Sequence, residues 1–119
     1  MNVKFALLGL CGSLALIGLS GCAANIADEQ QLMTGKRIAF ERSKGNCLAC
    51  HVIANGEEPG NIGQPLVAIA AHYHSKTQLR AHIWDQTQFN PETSMPPFGR
   101  NKILTETEID QVVDYLWSL

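Results

Sequence analysis

Cys47, Cys50 and His51, in the stretch Asn46-Cys47-Leu48-Ala49-Cys50-His51, place two thiols three residues apart with an imidazole directly after the second. On an α-helix, positions i, i+3 and i+4 share one face, so the spacing predicts three side chains leaving a single turn together. Two sulfurs and a nitrogen so arranged suit a flat group pressed against that face. The thiols can add to the vinyl groups of a haem while His51 binds its iron. With 4 Cys and 4 His in 119 residues, C-x-x-C-H arises in only about half a per cent of shuffled chains, so haem attachment is the leading reading. Two others stand beside it. A redox dithiol wants C-x-x-C after a strand in a βαβ pattern, whereas GKRIAFERSKG before it reads as helix. A zinc site would have to borrow His72, His74 or His82 at a spacing that fits no familiar finger.

A haem iron held by His51 has a second face. Met95, in Thr93-Ser94-Met95-Pro96-Pro97-Phe98-Gly99, is the only Met after the motif. Thioether sulfur is a weak neutral ligand, so the chain must hold it in place. Pro96 and Pro97 have fixed φ and bias Met95 away from helix, which lowers the entropy lost on docking. A Met–His pair would raise the reduction potential relative to two histidines and fill the coordination sphere, favouring electron transfer. His72, His74 and His82 are the rival ligands, and core gap-filling is the plainer role for a lone Met. Arg80 offers a propionate partner or simply a solvated surface charge.

The elements that must position these residues are helical. The first is expected from about Glu29 to Arg42, with Leu32, Gly35, Ile38 and Phe40 as packing positions. A second starts at Ser75, where Ser75 and Gln78 form a capping-box pattern, and carries Leu79, Ile83 and Trp84. The third is the clearest: Thr105 and Glu108 make another capping box, and Ile109, Val112, Val113 and Leu116 form an i, i+3, i+4, i+7 stripe. No alternating strand pattern competes, so the fold class is all-α. Two Gly/Pro-rich loops intervene, 55–65 and 88–102, the second long for so small a domain and therefore a functional candidate.

The N-terminus reads as an export signal. MNVKFALLGLCGSLALIGLSGC has one Lys, an apolar run and then small residues, which makes 1–21 a signal peptide, 22–28 a tether and 29–119 the domain. A short transmembrane anchor is the alternative for the same run. Leu19-Ser20-Gly21-Cys22 resembles a bacterial lipobox, which implies cleavage before Cys22, acylation of its sulfur and a stable anchor. Ordinary signal cleavage near Ala23 and Ala24 is the competing outcome. Cys11 would be removed, Cys47 and Cys50 go to haem, and no pair remains for a disulfide. Eleven acids against nine bases give a net charge of −2 with no basic run, so nucleic acid is not an expected partner.

Gly35 and Phe40 before CLACH, the Met95 loop and the ending Tyr115-Leu116-Trp117 together resemble the class I cytochrome c family. That resemblance implies one covalent haem c, a helical fold wrapped around it, iron ligation by His51 and Met95, and a close crossing of the first and last helices at Gly35. In that family the carbonyl orienting the ligand His belongs to a proline in G-P-x-L; here Gly63-Gln64-Pro65-Leu66 puts Gln64 there. KGNCLACH, PGNIGQPL and LRAHIWDQTQFNPETSMPPFGRNKILTETEIDQVVDYLWSL narrow the similarity to the SoxX subunits of sulfur-oxidation systems. These pair with a SoxA haem subunit that joins thiosulfate to a carrier cysteine, and they receive its electrons for a downstream acceptor. The resemblance implies a periplasmic, non-catalytic partner role for this chain. A stand-alone or membrane-tethered carrier between respiratory complexes, and a haem-based gas sensor with a labile Met95, are the other readings.

Overall fold

The final twelve-residue helix, Glu106–Trp117, forms because its start is chemically fixed and one side is apolar. The Thr105 hydroxyl accepts from the Glu108 N–H at 3.2 Å, and the Glu108 carboxylate accepts from the Thr105 N–H at 2.9 Å. Two of the helix's orphan donors are thereby satisfied. Ile109, Val112, Val113 and Leu116 are buried as the stripe required, and Tyr115 joins them.

In a computed structural model, which describes residues 20–119, that helix is α4. Before it come α1 (Ser20–Phe40), α2 (Ile69–His72) and α3 (Lys76–Trp84), with single 3-10 turns at Cys47–Ala49 and Gln86–Gln88. Among the described residues no strand forms; an isolated parallel bridge joins Ile53 to Leu66. The all-α expectation holds.

α1 crosses α4 at Gly35. A Cβ there would lie 2.0 Å from the Gln111 carbonyl oxygen and 2.9 Å from Tyr115 Cβ, so only glycine allows this approach. Ile38 and Ala39 complete the contact in the core, and Phe40 meets Tyr115 edge-on with ring centroids 6.3 Å apart. The element boundaries differ from expectation at both ends. α1 starts at Ser20 and not near Glu29, so the stretch 22–28, expected as a tether, is helical. Ala23, Ala24 and Ala27 favour this, and no Pro interrupts. The helix stops at Phe40, short of Arg42, because the chain folds back. The Gly45 N–H donates to the Ile38 carbonyl at 3.0 Å, and those of Lys44 and Asn46 donate to Glu41 at 3.0 and 3.1 Å.

α3 starts as expected at Ser75, whose hydroxyl accepts from the Gln78 N–H at 3.2 Å. The Gln78 side chain reaches one residue further back than a capping box requires and takes the His74 N–H at 2.8 Å. Leu79 and Ile83 enter the core beside α4. Arg80 pairs with Asp110 at 2.6 Å and Glu106 at 3.2 Å, and Lys76 pairs with Asp114 at 2.8 Å. Such surface pairs fix orientation more than they add stability. α2, too short for a periodic signal, is tied to the C-terminus by the Ala68 N–H on the Leu119 carbonyl at 3.0 Å.

No helix of the described residues is long and apolar enough to cross a membrane. The apolar run of the expected signal peptide, and with it the alternative of a membrane anchor, lies outside the described residues.

Candidate cofactor site

Cys47, Cys50 and His51 leave one tight turn, but the turn is not the α-helical one expected from their spacing. Asn46 enters it in the left-handed region at φ 48°, and Cys47–Ala49 is 3-10. The Cys47 carbonyl accepts from both the Cys50 N–H at 3.2 Å and the His51 N–H at 2.9 Å. The helix cannot propagate because the following loop takes its acceptors. Gly60 donates to the Leu48 carbonyl at 2.7 Å and Gly63 to the Cys50 carbonyl at 2.8 Å.

That loop, 55–65, is a bracket for the imidazole. A Cβ on Gly60 would fall 2.0 Å from the Ala49 carbonyl oxygen, and one on Gly63 would fall 2.4 Å from His51 Cε1, inside the ring's contact distance. Only a bare backbone passes there. His51 Nδ1 then lies 2.6 Å from the Gln64 carbonyl oxygen. A carbonyl can only accept, so Nδ1 carries the proton and the Nε2 lone pair is left for a metal. The carbonyl bonded to His51 therefore comes from Gln64, without a proline at that position. A Leu66 N–H bond to Val52 at 2.8 Å and the Ile53–Leu66 bridge close the bracket behind it.

The two thiols are free and partly buried. Burial pushes the Cys47 thiol up to about 11, against the pull of a backbone hydrogen bond, and nearby Cys50 adds to the rise. A redox dithiol needs the opposite, a thiol lowered towards neutrality. Among the described residues no group of three or more His, Cys, Asp or Glu side chains is placed to hold a metal ion. Zinc and dithiol readings thus lose their footing. Two partly buried thiols beside an imidazole with a free Nε2 fit a haem held by two thioethers and one nitrogen.

Met95 comes from the separate loop 88–102. It is partly buried and packs against the same core cluster as Cys47. Its N–H donates to the Thr93 hydroxyl at 3.1 Å. Of the rival ligands, His72 and His74 are exposed. His82 is partly buried and engaged: Phe89 stacks on its ring with centroids 3.7 Å apart, Tyr73 meets it edge-on at 5.2 Å, and Nδ1 lies 2.8 Å from Gln86 Oε1. Arg80 is committed to α4 carboxylates and lies over the Trp84 ring, 5.3 Å from its centroid, so it belongs to helix packing.

Sequence reasoning missed Asp85. The residue is 1% exposed, yet it is charged and both of its carboxylate oxygens are partnered. It accepts from the Thr87 hydroxyl at 2.5 Å, the Thr87 N–H at 3.1 Å, Gln88 Nε2 at 3.3 Å and Arg100 Nη1 at 2.7 Å. The Thr87 hydroxyl first, then Gln88 and Arg100, hold its carboxyl below the usual range against burial. The one sequence signal was an Asp two residues before a Thr, a local capping pattern. Beside it the loop's exit is fixed: Gly99 and Arg100 both donate to the Trp84 carbonyl, at 3.1 and 3.3 Å. A Cβ on Gly99 would fall 2.1 Å from the Trp84 ring.

Comparisons with known proteins place the chain among cytochrome c domains. The cytochrome c family profile matches residues 32–119. A cbb3-type cytochrome c oxidase subunit CcoP from Azospirillum sp. (strain B510) is 35% identical over 119 aligned residues, covering 85% of this chain. The match takes in 38% of that relative, so this chain corresponds to less than half of it. The crystal structure of SoxXA from P. pantotrophus is similar at a TM-score of 0.65 and 28% identity, over 72% of this chain and 79% of that one.

Proposed function

The chain belongs to the cytochrome c family and works in electron transfer with haem c attached through Cys47 and Cys50; we propose that His51 and Met95 are its axial ligands and that it serves as the electron-accepting subunit of a sulfur-oxidation pair. Bound haem supplies a one-electron centre, and a His–Met ligand pair raises its potential relative to two histidines. The chain's own residues do the rest. The Gln64 carbonyl holds the His51 proton on Nδ1 and leaves the Nε2 lone pair free. Thr93 and the two prolines hold Met95 in a segment that loses little freedom on ligation.

The partner assignment is carried by the likeness to SoxXA, which spans most of both chains at 28% identity. It is that of a chain receiving the electrons released when thiosulfate is joined to a carrier cysteine at a SoxA-like haem subunit, and passing them to a downstream acceptor. The similarity to CcoP supports a second reading, a haem domain serving respiratory complexes. Affinity capture from the native host grown on thiosulfate separates the two. A second haem polypeptide in near-equal amount supports the sulfur-oxidation pair, whereas recovery of terminal-oxidase subunits in its place favours the respiratory role.

We also propose that the chain is exported and held at the membrane by acylated Cys22, on the strength of the Leu19-Ser20-Gly21-Cys22 ending. Metabolic labelling with an alkyne fatty acid tests this: the label enters the parent and is lost in Cys22→Ser. Equal labelling of both, or of neither, rejects the anchor.

A further inference from the structure

Asp85 is a buried charge that the ligands and thiols do not use. Burying an ion is costly unless each oxygen finds a donor, and here each does. Oδ1 takes the Thr87 N–H and hydroxyl, and Oδ2 takes Gln88 Nε2 and Arg100 Nη1. Arg100 reaches the Thr87 hydroxyl as well, at 3.0 Å. The two members of the pair are fifteen positions apart, and Met95 lies between them. At the loop's entry Asp85 caps the Gln86–Gln88 turn. At its exit Asp85 holds Arg100, while the Trp84 carbonyl takes the N–H groups of Gly99 and Arg100. One carboxylate thus pins both ends of the segment that carries the sulfur.

We propose that Asp85, through Arg100 and Thr87, is a positioning residue for Met95: it holds the loop 88–102 closed and so sets how readily the sulfur gives way to a competing ligand. This rests on Met95 being an axial ligand. A neutral thioether binds weakly, so the free energy of local loop opening governs its exchange. A charge-assisted bond from Arg100 to a desolvated carboxylate is among the stronger contacts the loop possesses.

The rate of cyanide binding to the ferric, haem-loaded protein reads this directly. Asp85→Asn and Arg100→Gln should each accelerate binding by about tenfold or more, the loss expected of one charged hydrogen bond. Lys76→Gln, which breaks an ion pair between the start of α3 and α4, away from the loop, should leave the rate unchanged. Met95→Ala gives the limit with no sulfur to displace. Arg100 is 52% exposed, so Arg100→Gln decides the matter if Asp85→Asn fails to mature, and a single cooperative unfolding transition, even at a lowered midpoint, shows that the variant is folded. Rates within about twofold of the parent, the size of an inert surface pair, overturn the proposal if Met95→Ala is fast. If Met95→Ala binds cyanide no faster than the parent, the ligand assignment itself fails and the proposal falls with it.

Discussion

The bond from His51 Nδ1 ends on the Gln64 carbonyl and not on the Gln64 side chain, which points to solvent. Replacing that side chain therefore leaves the bond in place, and Gln64→Ala should show the parent's haem content and ferric spectrum. Gly63→Ala should not. Its new Cβ would lie 2.4 Å from the imidazole, so the ring must rotate or the loop must move. The expected outcome is a lower yield of haem-stained protein and an altered ferric spectrum in what matures, read by a stained denaturing gel and absorption. The motif Cys47, Cys50 and His51 was legible because its chemistry is contained in five consecutive positions. The tight 3-10 geometry of its turn was not, because it depends on Gly60 and Gly63 arriving from a later loop to take the Leu48 and Cys50 carbonyls.

At the level of elements, the α1–α4 crossing and the α4 cap carry the framework. Gly35→Ala would push a methyl to 2.0 Å from the Gln111 carbonyl oxygen. Overpacking of this kind costs about 2 kcal/mol or more where neither backbone can yield, seen as a lowered denaturation midpoint. Thr105→Ala removes the α4 cap and should cost about 1 kcal/mol. Glu108 adds a pH dependence. Its hydrogen bond from Lys44, at 2.6 Å, lowers its pKa, and the Thr105 N–H lowers it further. Since the folded-state value lies below the unfolded one, the stabilisation is complete above the unfolded value and fades as pH falls through the folded one. Acid titration of the denaturation midpoint should therefore fall more steeply below about pH 4 in the parent than in Glu108→Gln. α4 could be read from sequence because cap and stripe are local signals. The Asp85–Arg100 pair could not, since each partner alone resembles an ordinary surface charge and only the fold brings Arg100 back to the end of α3. The early start of α1 went unread because its first residues lack an apolar stripe and carry only helical propensity.

For the whole molecule, two loops of opposite character meet one small helical core. The loop 55–65 fixes an imidazole through glycine backbones, and the loop 88–102 presents a sulfur between pinned ends. With His51 and Met95 both on the iron, as proposed, the centre would change its charge without needing an open site, which would suit a carrier docking transiently or within a pair. The ferric absorption spectrum at neutral pH, recorded for the parent and for Met95→Ala, tests this most directly. The expected result is a weak sulfur-to-iron band at the red edge in the parent and its loss in Met95→Ala. The same spectrum in both proteins would contradict ligation by Met95 and the closed coordination built on it.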